Sequence, residues 1–368
     1  MNKKILTSLA LALSLGFVSC DKQTPEIKTP DKPSTEQEQK KNEGEQQKEE
    51  PKKEEDGQLP PVASDSFAPA SVRLGLYGGH LHAPASDPAF HYVPTAGKFL
   101  KYLAFEQPIT MQRDEKGGWT VPSGQRDKWC VVSYKLDDKG LATRVYGLWI
   151  DYLDASGKNI NEQIASGAND GLYQHFFTLT NVSKWGSKGV DEDTDTDPKT
   201  LVEYFYKDTT PHDKPHHTGD KDAQGAPFTF HTNPRGLKGY FQFPKAFKSF
   251  TLHIELRKFA SADEKNKAVK AWHDAKAGTV VSRISLPIIV YAEYPHDAIE
   301  DDITSLEDEE FEAAIKNFTI DKLASQNDRR ILKDFMDAFG VDAISLIKEF
   351  NYKLTTSEKS DENGGVWF

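Results

Sequence analysis

From residue 72 to residue 290, apolar side chains recur at every second position in one short run after another. Val72, Leu74 and Leu76 alternate with Arg73 and Gly75, and Phe250, Leu252, Ile254 and Leu256 alternate with Thr251, His253 and Glu255. Ile284, Leu286, Ile288 and Val290 repeat the pattern. A period of two puts the apolar side chains on one face of an extended strand, and a second layer must then cover that face. Aromatic and β-branched stretches at 146–152, 176–182, 201–206 and 239–243 add further strands. The segments 154–158 and 137–140 read as hairpin turns in which Gly157 and Gly140 supply a positive φ. Strands do not alternate regularly with helices, which argues against a doubly wound sheet. The expected class is therefore mainly β: an antiparallel β-sandwich or flattened barrel over residues 65–300, interrupted by a charged, helix-like insert at 262–276.

From residue 303 the period changes to 3.6. Ser305 is placed to cap a helix carrying Phe311, Ala314, Ile315 and Phe318 on one face. A second helix is expected from Ser325-Gln326-Asn327-Asp328 to a stop at Gly340, and a third from Asp342 through Ile347 and Phe350. Residues 301–368 thus form a small C-terminal helical region. Its last segment, Gly364-Gly365-Val366-Trp367-Phe368, is apolar enough to dock on the body.

The N-terminus has a different character. Asn2-Lys3-Lys4 followed by the apolar stretch Ile5–Val18 reads as a signal peptide over residues 1–19, too short for the ~20 apolar residues a membrane span needs. Residues 21–64 are almost wholly Lys, Glu, Gln, Pro, Thr, Asp and Ser without an aromatic residue. Such a composition buries too little apolar surface to offset its ordering entropy, so residues 20–64 are expected to form a disordered tether. Fully extended at ~3.3 Å per residue, it would reach roughly 145 Å.

Gly16-Phe17-Val18-Ser19-Cys20 resembles the lipobox cut by the lipoprotein signal peptidase, with a small residue before the cysteine and an apolar residue three before it. The resemblance implies acylation of Cys20 and anchoring to a membrane by the acyl chains, which hold far more firmly together than one chain alone. The Ser-Cys ending is similar to that of Bacteroidota lipoproteins, which implies an extracytoplasmic, outer-membrane-anchored protein, in many such cases displayed at the surface. Cys130, the other cysteine, then has no disulfide partner and reads as a small buried hydrophobe. The net charge is −11, and −13 once Lys3 and Lys4 leave with the signal. That argues against nucleic-acid binding and against electrostatic adhesion to anionic lipid.

Candidate chemistry rests on histidines. Gly78-Gly79-His80-Leu81-His82 sets two imidazoles at i and i+2, on one face if the chain is extended and near enough to share a metal ion. His175, in Gln174-His175-Phe176-Phe177, shares parity with Phe177 and Leu179 and should point inward. There it requires a metal or a hydrogen-bond partner. His91 is near enough in sequence to add a ligand, as is Asp87. A three-histidine set suits zinc, copper(II) or nickel, and only Met111 and Met336 remain after export for a copper(I) site. A haem version would use a histidine as axial ligand, with Arg235 or Arg73 at the propionates. His212, His216 and His217 lie in a polar, proline-containing loop and form a weaker metal candidate. Asp191, Asp193, Asp195 and Asp197 lack EF-hand spacing and read as a solvated acidic turn.

No nucleophile elbow, P-loop, H-E-x-x-H or Rossmann fingerprint occurs, so the reading leans away from an enzyme. Carboxylate pairs of the glycoside-hydrolase kind would leave no local motif. The body is also similar to uncharacterised Bacteroidota lipoproteins with GGHLH, QHFF and GLKGYFQF segments, here at 78–82, 174–177 and 236–243. That likeness implies no activity. The expected function is a cell-envelope lipoprotein that binds a transition-metal ion or metal-containing ligand through histidines, with an outer-membrane transporter as the partner an uptake role implies. The alternative is a surface glycan- or protein-binding module without metal, presenting aromatics such as Trp119, Trp149 and Trp185.

Overall fold

The computed structural model describes residues 59–82, 89–92, 95–96, 106–134, 144–186, 195–209, 212, 233–267, 271–273, 277–292, 308–350, 357–358 and 366–367. The segments expected to form a signal peptide and, up to residue 58, a tether, together with Cys20, Ser305 and the expected 137–140 turn, lie outside the described residues.

The first half of the body carries β1 (Ser71–His82), β2 (Ala89–Tyr92), β3 (Thr95–Ala96), β4 (Ile109–Arg113), β5 (Trp119–Thr120), β6 (Trp129–Val132) and β7 (Val145–Leu153). Then follow β8 (Tyr173–Lys184), β9 (Glu203–Tyr206), β10 (Lys238–Gln242), β11 (Lys248–Lys258), β12 (Thr279–Tyr291), β13 (Ser357–Glu358) and β14 (Val366–Trp367). Among the described residues the helices are α1 (Glu162–Ala165), α2 (Pro198–Leu201), α3 (Ala262–Lys267), α4 (Asp308–Ile315), α5 (Gln326–Phe339) and α6 (Ala343–Phe350).

Two sheets pack as a sandwich. The larger runs β14-β2-β1-β7-β10-β9, with β4 paired to β1 and β5 to β4; the smaller runs β6-β12-β11-β8. The period-2 residues make the interface between them. Val72, Leu74 and Leu76 of β1 and Leu148, Ile150 and Tyr152 of β7 meet Leu252, Ile254 and Leu256 of β11 and Ile284, Leu286 and Ile288 of β12. Each such side chain, fully buried, contributes about 1.5–3 kcal/mol, so the alternation is what drives the two faces together. The ladders are antiparallel except β6 on β12, which is parallel. β6 reaches that edge on a path between the sheets, so no hairpin dictates its direction.

The Asp154 turn forms as its sequence predicts. The Asp154 carboxylate accepts the N–H groups of Ser156 and Lys158, and Gly157 takes φ 82°. Within the expected insert helix the described residues give α3 over Ala262–Lys267 and a non-helical turn at 271–273, where Trp272 joins the core between the sheets. Packing of one large aromatic side chain outweighs the weak helical preference of that stretch.

The C-terminal helices cover part of the outer face of the smaller sheet. Phe311, Ile315, Leu332, Phe335 and Ile347 bury themselves against Cys130 of β6 and Ile289 and Tyr291 of β12. Helix α5 carries the caps its sequence predicts: the Ser325 hydroxyl accepts the Asp328 N–H, and Gly340 ends the helix at φ 64°. Asp342 caps α6 by accepting the Ser345 N–H. Cys130 is buried, and burial pushes its thiol up to about 12, so it stays protonated.

The body starts earlier than residue 65. The Ala63 N–H donates to the Val280 carbonyl, and Arg283 donates to the carbonyl of Pro60. Asp65 pairs with Lys258 at 2.8 Å, and Phe67 is buried edge-on to Tyr152. Val62 remains 43% exposed, so this stretch is held by backbone and charge rather than by apolar burial.

Candidate metal site

Strand β1 stays extended through Gly78 and Gly79, which pair with Tyr146 and Val145 of β7. The two glycines therefore continue the strand and form no loop. Leu81, between the two histidines, packs with Val145 and Tyr240 on the face opposite the sandwich core. By strand parity His80 and His82 then lie on the other face, in line with Leu74 and Leu76.

β2 supplies the third histidine. In the β1–β2 ladder His80 stands directly opposite His91, and His82 opposite Ala89. Directly opposed residues share a face with Cβ atoms about 4.5–5.5 Å apart, and diagonal neighbours lie about 7–8 Å apart. Backbone register thus gathers His80, His82 and His91 on one face of a two-stranded ribbon. His91 is also paired with Trp367 of β14, so the end of the chain closes the outer edge of that ribbon. His80 is half-buried. The side chains of His82 and His91 lie outside those described, and among the described residues no group of three or more His, Cys, Asp or Glu side chains is assembled to hold a metal.

His175 does not join this ribbon. It is fully buried in the core, where both ring nitrogens are engaged: Nε2 lies 3.0 Å from the Tyr152 hydroxyl and Nδ1 2.8 Å from the Arg235 carbonyl. The carbonyl can only accept, so Nδ1 carries the proton and Nε2 accepts from the tyrosine. No lone pair is left for a metal. Tyr152 pairs with Val72, eight residues before His80 on β1, which puts the two sites roughly 25 Å apart at ~3.3 Å per residue. Inward parity was legible for His175, and its hydrogen-bond partners answer the need for a metal. His253 is satisfied in the same way, by Thr180 and Ser285.

Burial of His175 lowers its pKa from 6.5 to about 4. The unfolded chain therefore binds a proton here between about pH 6.5 and 4 while the folded chain does not, and stability falls as pH drops through that window. The full shift amounts to about 3 kcal/mol. Thermal melts from pH 7 to pH 4 are expected to show a steep acid limb that flattens in His175→Gln. An equally steep limb in that variant would assign the loss to other groups.

Two of the three motif segments meet in this core. The His175 N–H donates to the carbonyl of Arg235, the residue before GLKGYFQF, Phe177 packs on Phe241 at 5.1 Å, and a Cβ at Gly236 would fall 2.9 Å from the His175 Cβ. Asp208, which no sequence pattern marks, fixes the turn before β10 by accepting the N–H groups of Arg235, Gly236, Leu237 and Lys238. QHFF and GLKGYFQF are thus a packing unit in the sandwich core, whereas GGHLH meets GLKGYFQF on the opposite face, where Leu81 packs with Tyr240.

The remaining candidates are placed as follows. His212 is half-buried, while His216, His217 and Asp87 lie outside the described residues. Asp195 pairs with Lys245 at 2.8 Å and accepts from Thr200, contacts that hold its carboxyl below the usual range, and Asp197 caps α2. Asp191 and Asp193 lie outside the described residues. Arg73 pairs with Asp151 and Arg235 with Asp170, so both guanidiniums proposed for haem propionates already hold carboxylates. No helix among the described residues is long and apolar enough to cross a membrane. The chain matches no protein-family profile and no curated protein sequence.

Proposed function

We propose that this chain is a lipid-anchored protein of the cell envelope that binds a divalent transition-metal ion, zinc or copper(II), through His80, His82 and His91. The observation that carries the reading is the direct opposition of His80 and His91 in the β1–β2 ladder, with His82 two residues along the same face. Three neutral imidazoles on adjacent strands are borderline-soft ligands suited to these ions, and a fourth position stays open for water or a transported ligand. Because imidazole must be deprotonated to bind, affinity falls as pH drops below about 6.5. Metal titration of the mature protein and its histidine variants tests the site. An uptake role adds an outer-membrane transporter as partner.

The anchor rests on the sequence at Cys20. Cys20→Ala is expected to release the protein from membranes into the soluble fraction, since a net charge of −11 disfavours adhesion to anionic lipid. Persistence of the variant in the membrane fraction would exclude the lipid anchor.

The glycan- or protein-binding alternative relied on three tryptophans. Trp119 donates its ring N–H to Ser282 and Trp149 to Asp151, and the Trp149 ring faces Lys238 Nζ at 4.6 Å. Both serve the body. Trp185 has a different setting.

A further inference from the structure

A groove of about 710 Å³ opens between α5 and the turn at Trp185-Gly186, a volume within the range of small-molecule sites. It lies on the helical layer, and the metal reading makes no use of it. Trp185 lines the groove, and its indole is held by edge contacts to Tyr291 and Phe335, each at 5.3 Å. Gly186 takes φ 89°, a conformation that residues with a side chain rarely adopt, so the wall beside the indole is kept free of a side chain.

The polar lining is balanced. Asp321, Asp334 and Asp337 supply three carboxylates, and Arg329, Arg330 and Lys333 supply three cations. Arg329, Lys333 and Asp337 follow one another at four-residue spacing along α5, so they share one helix face. A charged ligand of either sign would meet three like charges here. A neutral ligand rich in hydroxyl groups meets donors and acceptors in equal supply, in the planar, bidentate forms that guanidinium and carboxylate offer. The indole adds a rigid apolar surface for such a ligand's C–H face.

We propose that this groove binds a neutral oligosaccharide, with Trp185 as the stacking platform and Arg329 and Asp337 among the hydroxyl-binding groups. The site is independent of the histidine ribbon. The test is to screen the full mature chain on an array of neutral, sialylated and sulfated oligosaccharides and to titrate the best neutral binder calorimetrically. Neutral glycans are expected to be retained in preference to charged ones. Arg329→Ala and Asp337→Ala should each weaken binding at least about tenfold while leaving the melting temperature unchanged. His80→Ala/His82→Ala should bind the glycan as the wild type does. A preference for charged glycans, binding of none, or wild-type affinity in both groove variants would overturn the assignment. So would loss of glycan binding in the histidine variant.

Discussion

Replacing Glu255 by leucine is expected to lower the unfolding free energy by about 3–5 kcal/mol, the cost of leaving a buried ion network without one of its signs. Strand parity places Glu255 on the outer face of the smaller sheet, yet its side chain is 0% exposed. It stands directly opposite Arg283 in the β11–β12 ladder and two residues before Arg257 on its own strand. One carboxylate oxygen holds Arg283 at 2.7 Å and the other holds Arg257 at 2.8 Å. The arginines extend outward from this centre: Arg257 donates to the Ala277 carbonyl and lies 5.8 Å from the centroid of the Phe176 ring, and Arg283 donates to the Pro60 carbonyl.

Removing only the carboxylate leaves two guanidiniums, with side chains 4% and 14% exposed, facing each other with no counter-charge. Removing all three charges together, in Glu255→Leu/Arg257→Met/Arg283→Met, restores most of the loss, because the desolvation cost of the ions disappears with them. Urea unfolding followed by circular dichroism reads both effects. A single variant within about 1 kcal/mol of the wild type would show that the network is more hydrated than its burial implies.

This network also shows where sequence reading stops. Val72, Leu74, Leu76, Phe250, Leu252 and Ile254 announced their strands and their buried face, because a period of two has one geometric meaning. The inward turn of His175 followed from the same parity, as did the caps of α5 from Ser325 and Gly340. Glu255 and Arg283 obey the rule too and lie on the outer face. What hides them is tertiary: residues 60–63 come over that face from a distant part of the chain and Ala277 from the β11–β12 connection, and no local pattern records it. The parallel pairing of β6 and the groove beside Trp185 have the same origin.

The histidines divide along that line. Spacing placed His80 and His82 on one face, but proximity in sequence was the only argument for His91, and the ladder register supplies the stronger one. His175 shared the chemistry of a ligand and the parity of a core residue. A tyrosine hydroxyl and a backbone carbonyl, neither predictable from spacing, decided its environment. Trp367 brings the last strand beside His91 although some 275 residues separate them in sequence.

The second large effect concerns the metal. A His80→Ala/His82→Ala protein keeps one imidazole of the ribbon, and its zinc and copper(II) affinity is expected to fall at least about a hundredfold, or ~2.7 kcal/mol. His91→Ala removes the cross-strand ligand and should cost at least about tenfold. His175→Gln, roughly 25 Å away by strand length, should leave affinity unchanged even though it alters the acid stability of the body. The most direct measurement is isothermal calorimetry of zinc into the full mature chain and the His80→Ala/His82→Ala variant at pH 7.5. One ion bound by the wild type, with the affinity lost in the variant, is the predicted result. Equal zinc affinity in the two proteins would contradict a metal site on the β1–β2 ribbon.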